Sequence, residues 1–69
     1  MSSLGKTIAA ARYDQRLSLQ KVADLAGLTK AHIWELEKGH SDNPRVETLV
    51  RIGEALKIEP IDLFRAATA

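Results

Sequence analysis

Five side chains between Lys30 and Lys38 can act together on a polar partner. Residues 29–38 read Thr-Lys-Ala-His-Ile-Trp-Glu-Leu-Glu-Lys, and at about 100° per residue Ile33 and Leu36 share one side of a helix. Lys30, Ala31, Trp34, Glu35 and Lys38 then point away from that side. At the edge of a base pair, Lys30 can donate to guanine O6 and N7, Ala31 can touch a thymine methyl, and Glu35 can accept from cytosine N4. A carboxylate beside phosphates is repelled, so Glu35 needs such a donor or a pairing with Lys38 or Lys30. Trp34 has two readings: along a sugar–phosphate strand with its indole N–H donating, or packed inward toward the following loop. His32 reads as a helix-surface residue rather than a metal ligand. The plain alternative for the whole set is a mixed-charge face that merely meets solvent.

Bond-breaking chemistry finds little support. The chain has no cysteine nucleophile and no glycine-rich phosphate loop. His32 and His40 lie near Glu35, Glu37 and Asp42 in numbers too ordinary to suggest a metal cluster. The expectation is a protein that is not an enzyme and needs no cofactor.

Size sets the frame for these residues. The 69 residues are 45% apolar and 28% charged, with a formal net charge of +1, which allows one small domain over residues 1–69. A chain this short buries only about 60% of its unfolded surface, so it needs an efficient core or a partner subunit. Ten Lys or Arg against nine Asp or Glu excludes a broad basic field, so an anionic partner must be met by a local patch. No apolar run approaches the roughly 18 residues of a membrane span, and the start Met-Ser-Ser-Leu-Gly-Lys lacks the apolar stretch of a secretory signal. A cytoplasmic location is expected.

Punctuation divides the chain into helices. Gly27, Gly39, Pro44 and Pro60 fall between segments of helical spacing, and no segment alternates as a strand would. The first helix starts near Ser2 or Ser3 and ends near Arg16. Ser18 offers a cap to a second helix running to about Ala26, with Leu17 placed to pack on Val22. Gly27 suits the left-handed turn that ends it. Thr29 caps a third helix that continues to Lys38, with Leu28 placed to pack on Ile33. A fourth helix spans about Val46 to Leu56, and Pro60 suits the first turn of a short fifth. Residues 66–69 are expected to fray.

Residues Leu19 to Lys38 thus make two short helices joined by a tight turn with glycine, the outline of a helix-turn-helix. Ala23 is the small residue where the helices cross, Gly27 is the turn, and Val22, Ala26, Leu28, Ile33 and Leu36 face inward. In this register the sequence resembles the lambda-repressor-like (Cro/cI, or XRE) helix-turn-helix family. The residues that carry the likeness are Leu4-Gly5-Lys6, Leu17-Ser18, Val22-Ala23, Gly27-Leu28-Thr29, Ile33, Leu36-Glu37-Lys38-Gly39, Asn43-Pro44, Glu47-Thr48-Leu49, Ala55-Leu56 and Asp62-Leu63-Phe64. The resemblance implies an all-α domain of five helices around one core. The helix-turn-helix is formed by helices two and three, and the third enters the major groove of duplex DNA.

The resemblance also implies roles. It places base contacts at Lys30, Ala31 and Glu35, and sets Thr29 and Lys38 closer to phosphates. The loop after helix three runs along the DNA backbone in the resembling repressors, making His40, Ser41 and Asn43 phosphate donors, with Asp42 opposing them, and Arg45 the candidate for a narrow minor groove. Arg12 and Glu37, charged yet placed where helices one and three should meet, are read as a structural ion pair. Leu19 stands where the family commonly has glutamine, Arg16 where it often has glycine, and Arg45 where it often has a capping Ser or Thr.

From this follows a sequence-specific transcriptional regulator, a Cro-sized repressor without a separate effector domain. Lys30, Lys38 and Arg45 are balanced by Glu35, Glu37 and Asp42 across residues 28–46, so one copy should bind weakly. A homodimer reading half-sites about 34–36 Å apart on a palindromic operator is expected. Residues Asp42 to Val46, Ile58, Ile61 and the tail are candidate interface positions, and an exposed Leu19 or Leu25 can serve a second protein partner. The competing function is a protein-interaction or antitoxin-like module on the same fold.

Overall fold

The computed structural model describes residues 3–40 and 44–68. In order, the helices are α1 (Leu4–Asp14), α2 (Leu19–Ala26), α3 (Lys30–Glu37), α4 (Val46–Leu56) and α5 (Pro60–Thr68), and the described residues include no strand. The all-α, five-helix expectation holds. Local chemistry explains the central boundaries. Ser18 Oγ accepts from the Lys21 N–H at 3.0 Å, and Thr29 Oγ1 accepts from the His32 N–H at 3.1 Å. Each satisfies one of the orphan donors at its helix start.

The four turns that follow α1 to α4 all pass through the left-handed region. Gly27 (φ 69°) and Gly39 (φ 77°) do so without steric cost. Arg16 (φ 56°) and Lys57 (φ 59°) do so with a Cβ, at roughly 1–2 kcal/mol each. What returns is carbonyl satisfaction: after Arg16 the Leu17 N–H reaches the Arg12 carbonyl at 2.9 Å, and after Lys57 the Ile58 N–H reaches the Gly53 carbonyl at 2.9 Å.

One apolar core joins all five helices, with Leu4 and Ile8 from α1, Val22, Ala23 and Ala26 from α2, Ile33 and Leu36 from α3, Leu49, Ile52 and Leu56 from α4, and Leu63 from α5. Leu17 and Leu28 pack against it from the turns. One expectation, an exposed Leu19, needs correction, and the N-terminus of α1 adds a contact of its own. Ser3 precedes α1 and its side chain makes no capping bond; its N–H donates to the Ala66 carbonyl at 3.0 Å. Ala66 is buried, and α5 runs through Thr68. Leu19 is half-buried and packs against the core, as does Ile58.

Candidate nucleic-acid interface

Helix α3 is held from behind before it offers anything in front. Its N-terminal end is fixed by the α2 turn, where the Leu28 N–H donates to the Ala23 carbonyl at 2.9 Å and Ala23 is fully buried. Its C-terminal end is fixed by α1. A Cβ on Gly5 would lie 2.5 Å from the Leu36 carbonyl oxygen and 2.6 Å from that of Glu37, so only glycine allows the two backbones this close.

The same contact holds Arg12 and Glu37. Arg12 Nε donates to Glu37 Oε2 at 2.6 Å and Nη2 to Oε1 at 2.9 Å, the two-pronged geometry that suits guanidinium and carboxylate. Arg12 Nη1 donates to the Leu17 carbonyl at 3.0 Å, and the Arg12 Cζ lies 4.4 Å from the centre of the Tyr13 ring. Both charged side chains are at most 10% exposed. The Glu37 hydrogen bond pushes the Arg12 guanidinium further up from its already basic range, outweighing the opposing effect of burial. This pair is committed to the α1–α3 contact, where neither member faces an outside ligand.

The opposite side of α3 is open. Lys30, Ala31, Trp34, Glu35 and Lys38 are all exposed, and Ile33 and Leu36 are buried. At about 100° per residue the five cover an arc of roughly 140°. Among the described residues neither Glu35 nor Lys30 nor Lys38 enters an ion pair. The sequence-level escape for Glu35 through pairing with Lys30 or Lys38 is therefore not taken, and its carboxylate keeps its full capacity to accept. Thr29 is exposed at the head of this face; its oxygen caps the helix, and its hydroxyl proton remains to donate.

The helix termini add a field. The first turns of α2 and α3 contain no acidic residue, and α3 opens on Lys30, whereas α4 opens with Glu47 and α5 with Asp62. The positive end of the α3 dipole is thus reinforced rather than offset, an arrangement that costs a little stability and favours an anion.

Sequence reasoning missed two features. His40, expected as a phosphate donor, is also the partner of Trp34: their rings meet edge to face, centroids 5.2 Å apart at 82°. The signal was available, since Gly39 turns the chain and the His40 N–H returns to the Glu35 carbonyl at 2.9 Å, a motif that brings the second residue past the helix onto its last turn. Trp34 therefore packs toward the loop and still remains 41% exposed. Gln15 was also missed; its Nε2 donates to the Leu56 carbonyl at 2.6 Å and holds the end of α4, a contact with no local signal.

Arg45 is exposed just ahead of α4, and its side chain makes no capping bond there, as expected for a group without an acceptor. Gln20, one residue past the position where the family has glutamine, donates to Asp24 Oδ1 at 2.9 Å along its own helix. The phosphate contacts expected of Ser41 and Asn43, and the opposition expected of Asp42, lie outside the described residues. Among the described residues no group of three or more His, Cys, Asp or Glu could hold a metal ion, and no helix is long and apolar enough to cross a membrane.

Comparison with known proteins agrees with this geometry. The HTH-type transcriptional repressor RghR of Bacillus subtilis (strain 168) is 33% identical over 58 residues, covering 84% of this chain and 43% of that protein. The HTH-type transcriptional regulator SlrR of the same organism is 29% identical over 65 residues, covering 94% and 43%. The chain thus spans less than half the length of these curated relatives. Among solved structures, the restriction-modification controller protein C.AhdI from Aeromonas hydrophila superposes with a TM-score of 0.83 at 28% identity, over 91% of this chain and 94% of that one. The family model HTH_3, described as helix-turn-helix, matches residues 8–63, a span that takes in the capped α2–α3 corner, the Arg12–Glu37 lock and most of the core, and this chain belongs to that family.

Proposed function

We propose that this chain is a sequence-specific DNA-binding transcriptional regulator, a repressor that acts as a homodimer on a twofold-symmetric operator. The observation that carries the reading is the outer face of α3. A helix pinned by the α2 turn at one end and by α1 at the other leaves Lys30, Ala31, Trp34, Glu35 and Lys38 exposed beneath an uncompensated positive helix end. Lys30 donates to guanine, Ala31 meets a thymine methyl, and Glu35 accepts from cytosine N4. Thr29, Lys38 and His40 approach phosphates, as do Ser41 and Asn43 from the loop, with the Trp34 indole N–H directed at the strand. Arg45 enters the adjacent minor groove, where a narrow A·T-rich segment concentrates negative potential.

Dimerisation follows from the weakness of a single copy, whose charge over residues 28–46 sums to zero. Val46 and Ile61, 63% and 55% exposed, are the apolar side chains available near the expected interface. Selection of bound duplexes from a random pool, followed by a salt series on the enriched sequence, tests the reading. The expected result is an inverted repeat with half-sites about one helical turn apart and affinity that falls steeply with salt. Enrichment of no sequence, or salt-independent binding, would overturn it.

A further inference from the structure

Ala31 occupies the centre of the outer face, neighbouring Trp34 three residues on and Glu35 four residues on, with Cβ separations of about 5–6 Å on a helix. An apolar strip therefore borders an acceptor. Trp34 is not a free rotor: the His40 ring braces it edge to face at 5.2 Å, leaving 41% of the residue exposed. Glu35 has no ion-pair partner among the described residues, so whatever it meets must bring the donor.

These constraints select among base edges. In the major groove guanine shows two acceptors and thymine shows an acceptor beside its methyl, so both repel the carboxylate. Adenine offers its N6 amine, but the flanking N7 is another acceptor. Cytosine offers its N4 amine, and the next position along its edge is C5, which is apolar and becomes a methyl when the base is methylated. We propose that the Ala31–Trp34 strip, braced by His40 and bordered by Glu35, reads 5-methylcytosine in duplex DNA in preference to unmodified cytosine. The inference rests on the reading of α3 as the base-contacting helix. It replaces thymine, as the partner of Ala31, by the methyl-bearing pyrimidine that also carries an amine. The Trp34 ring lies along the base edge with its N–H end still toward the strand.

The test starts from the duplex enriched from an unmethylated pool and replaces its cytosines one at a time by 5-methylcytosine or by thymine. At one position per half-site methylation should tighten binding about fourfold, the effect of one buried methyl, and thymine should weaken it about tenfold or more. Glu35→Gln should erase the discrimination against thymine and keep the gain from methylation. Trp34→Ala should erase that gain and keep the preference for cytosine. His40→Ala should reduce the gain and His40→Phe restore it, which a merely stabilising histidine would not do. Methylation that is neutral or adverse at every position, or cytosine preference insensitive to Glu35→Gln, overturns the proposal while leaving DNA binding intact. A chain that enriches no duplex overturns the reading of α3 itself.

Discussion

The two faces of α3 differ in how far their bonding capacity is used up inside the molecule. On the inner face Ile33 and Leu36 are buried, and Glu37 spends both carboxylate oxygens on Arg12. The Leu36 and Glu37 carbonyls sit against Gly5. On the outer face the side chains share one aromatic contact, between Trp34 and His40, and no ion pair among the described residues. A helix under selection for stability alone would place an acid in its first turn and pair Glu35 with Lys38; this helix begins with Lys30 and does neither. The inner face fixes where the helix lies, and the outer face keeps its donors and acceptors for something else.

Breaking the inner face should give the largest effect. Glu37→Ala leaves the buried Arg12 guanidinium with a single carbonyl partner and should cost about 3–5 kcal/mol, read as a lower urea midpoint at unchanged slope. A midpoint that does not move would mean the pair contributes nothing. Gly5→Ala forces the α1 and α3 backbones apart and should cost roughly 1–3 kcal/mol despite alanine's better helix propensity. Because it shifts α3, affinity for the enriched duplex should fall in molecules that remain folded.

Changes on the outer face should act in the opposite sense. Lys30→Ala should leave the unfolding midpoint in place and relax base preference at one position per half-site by about 1–3 kcal/mol. Retained preference there would remove Lys30 from the base contacts. Lys30→Glu sharpens the contrast furthest, since an acid in the first turn should raise stability by about 0.3–1 kcal/mol while adding repulsion toward DNA. A variant that is both more stable and a better binder would contradict the division between the faces.

Much of this was legible in the sequence because its causes are local. Ser18, Thr29, Gly27 and Gly39 announce the ends of α2 and α3 through their own hydroxyls or their own freedom of φ, and the bounds of α4 fell where Val46 and Leu56 predicted. Arg12 and Glu37 were visible as charges in an otherwise apolar register. Two of the features that escaped are set by distant neighbours. The Ser3 hydroxyl meets the Ala66 carbonyl, 63 residues on, and Gln15 finds the end of α4 at Leu56. Lys57 gives no sign of a left-handed backbone, because lysine has no preference for it; Arg16 was suspect only because the family often has glycine there. His40 was read for its ring nitrogens, whereas its position after Gly39 gives the ring a packing task.

Whether DNA lies on the exposed side of α3 is decided by amide chemical-shift mapping during titration with the enriched duplex. Shifts should concentrate on residues 29–38 and on the His40 to Arg45 segment, with the Trp34 indole N–H among the largest and the Arg12 Nε–H little changed. Shifts centred instead on Tyr13, Leu25 or Ile61, with the α3 amides unmoved, would contradict it.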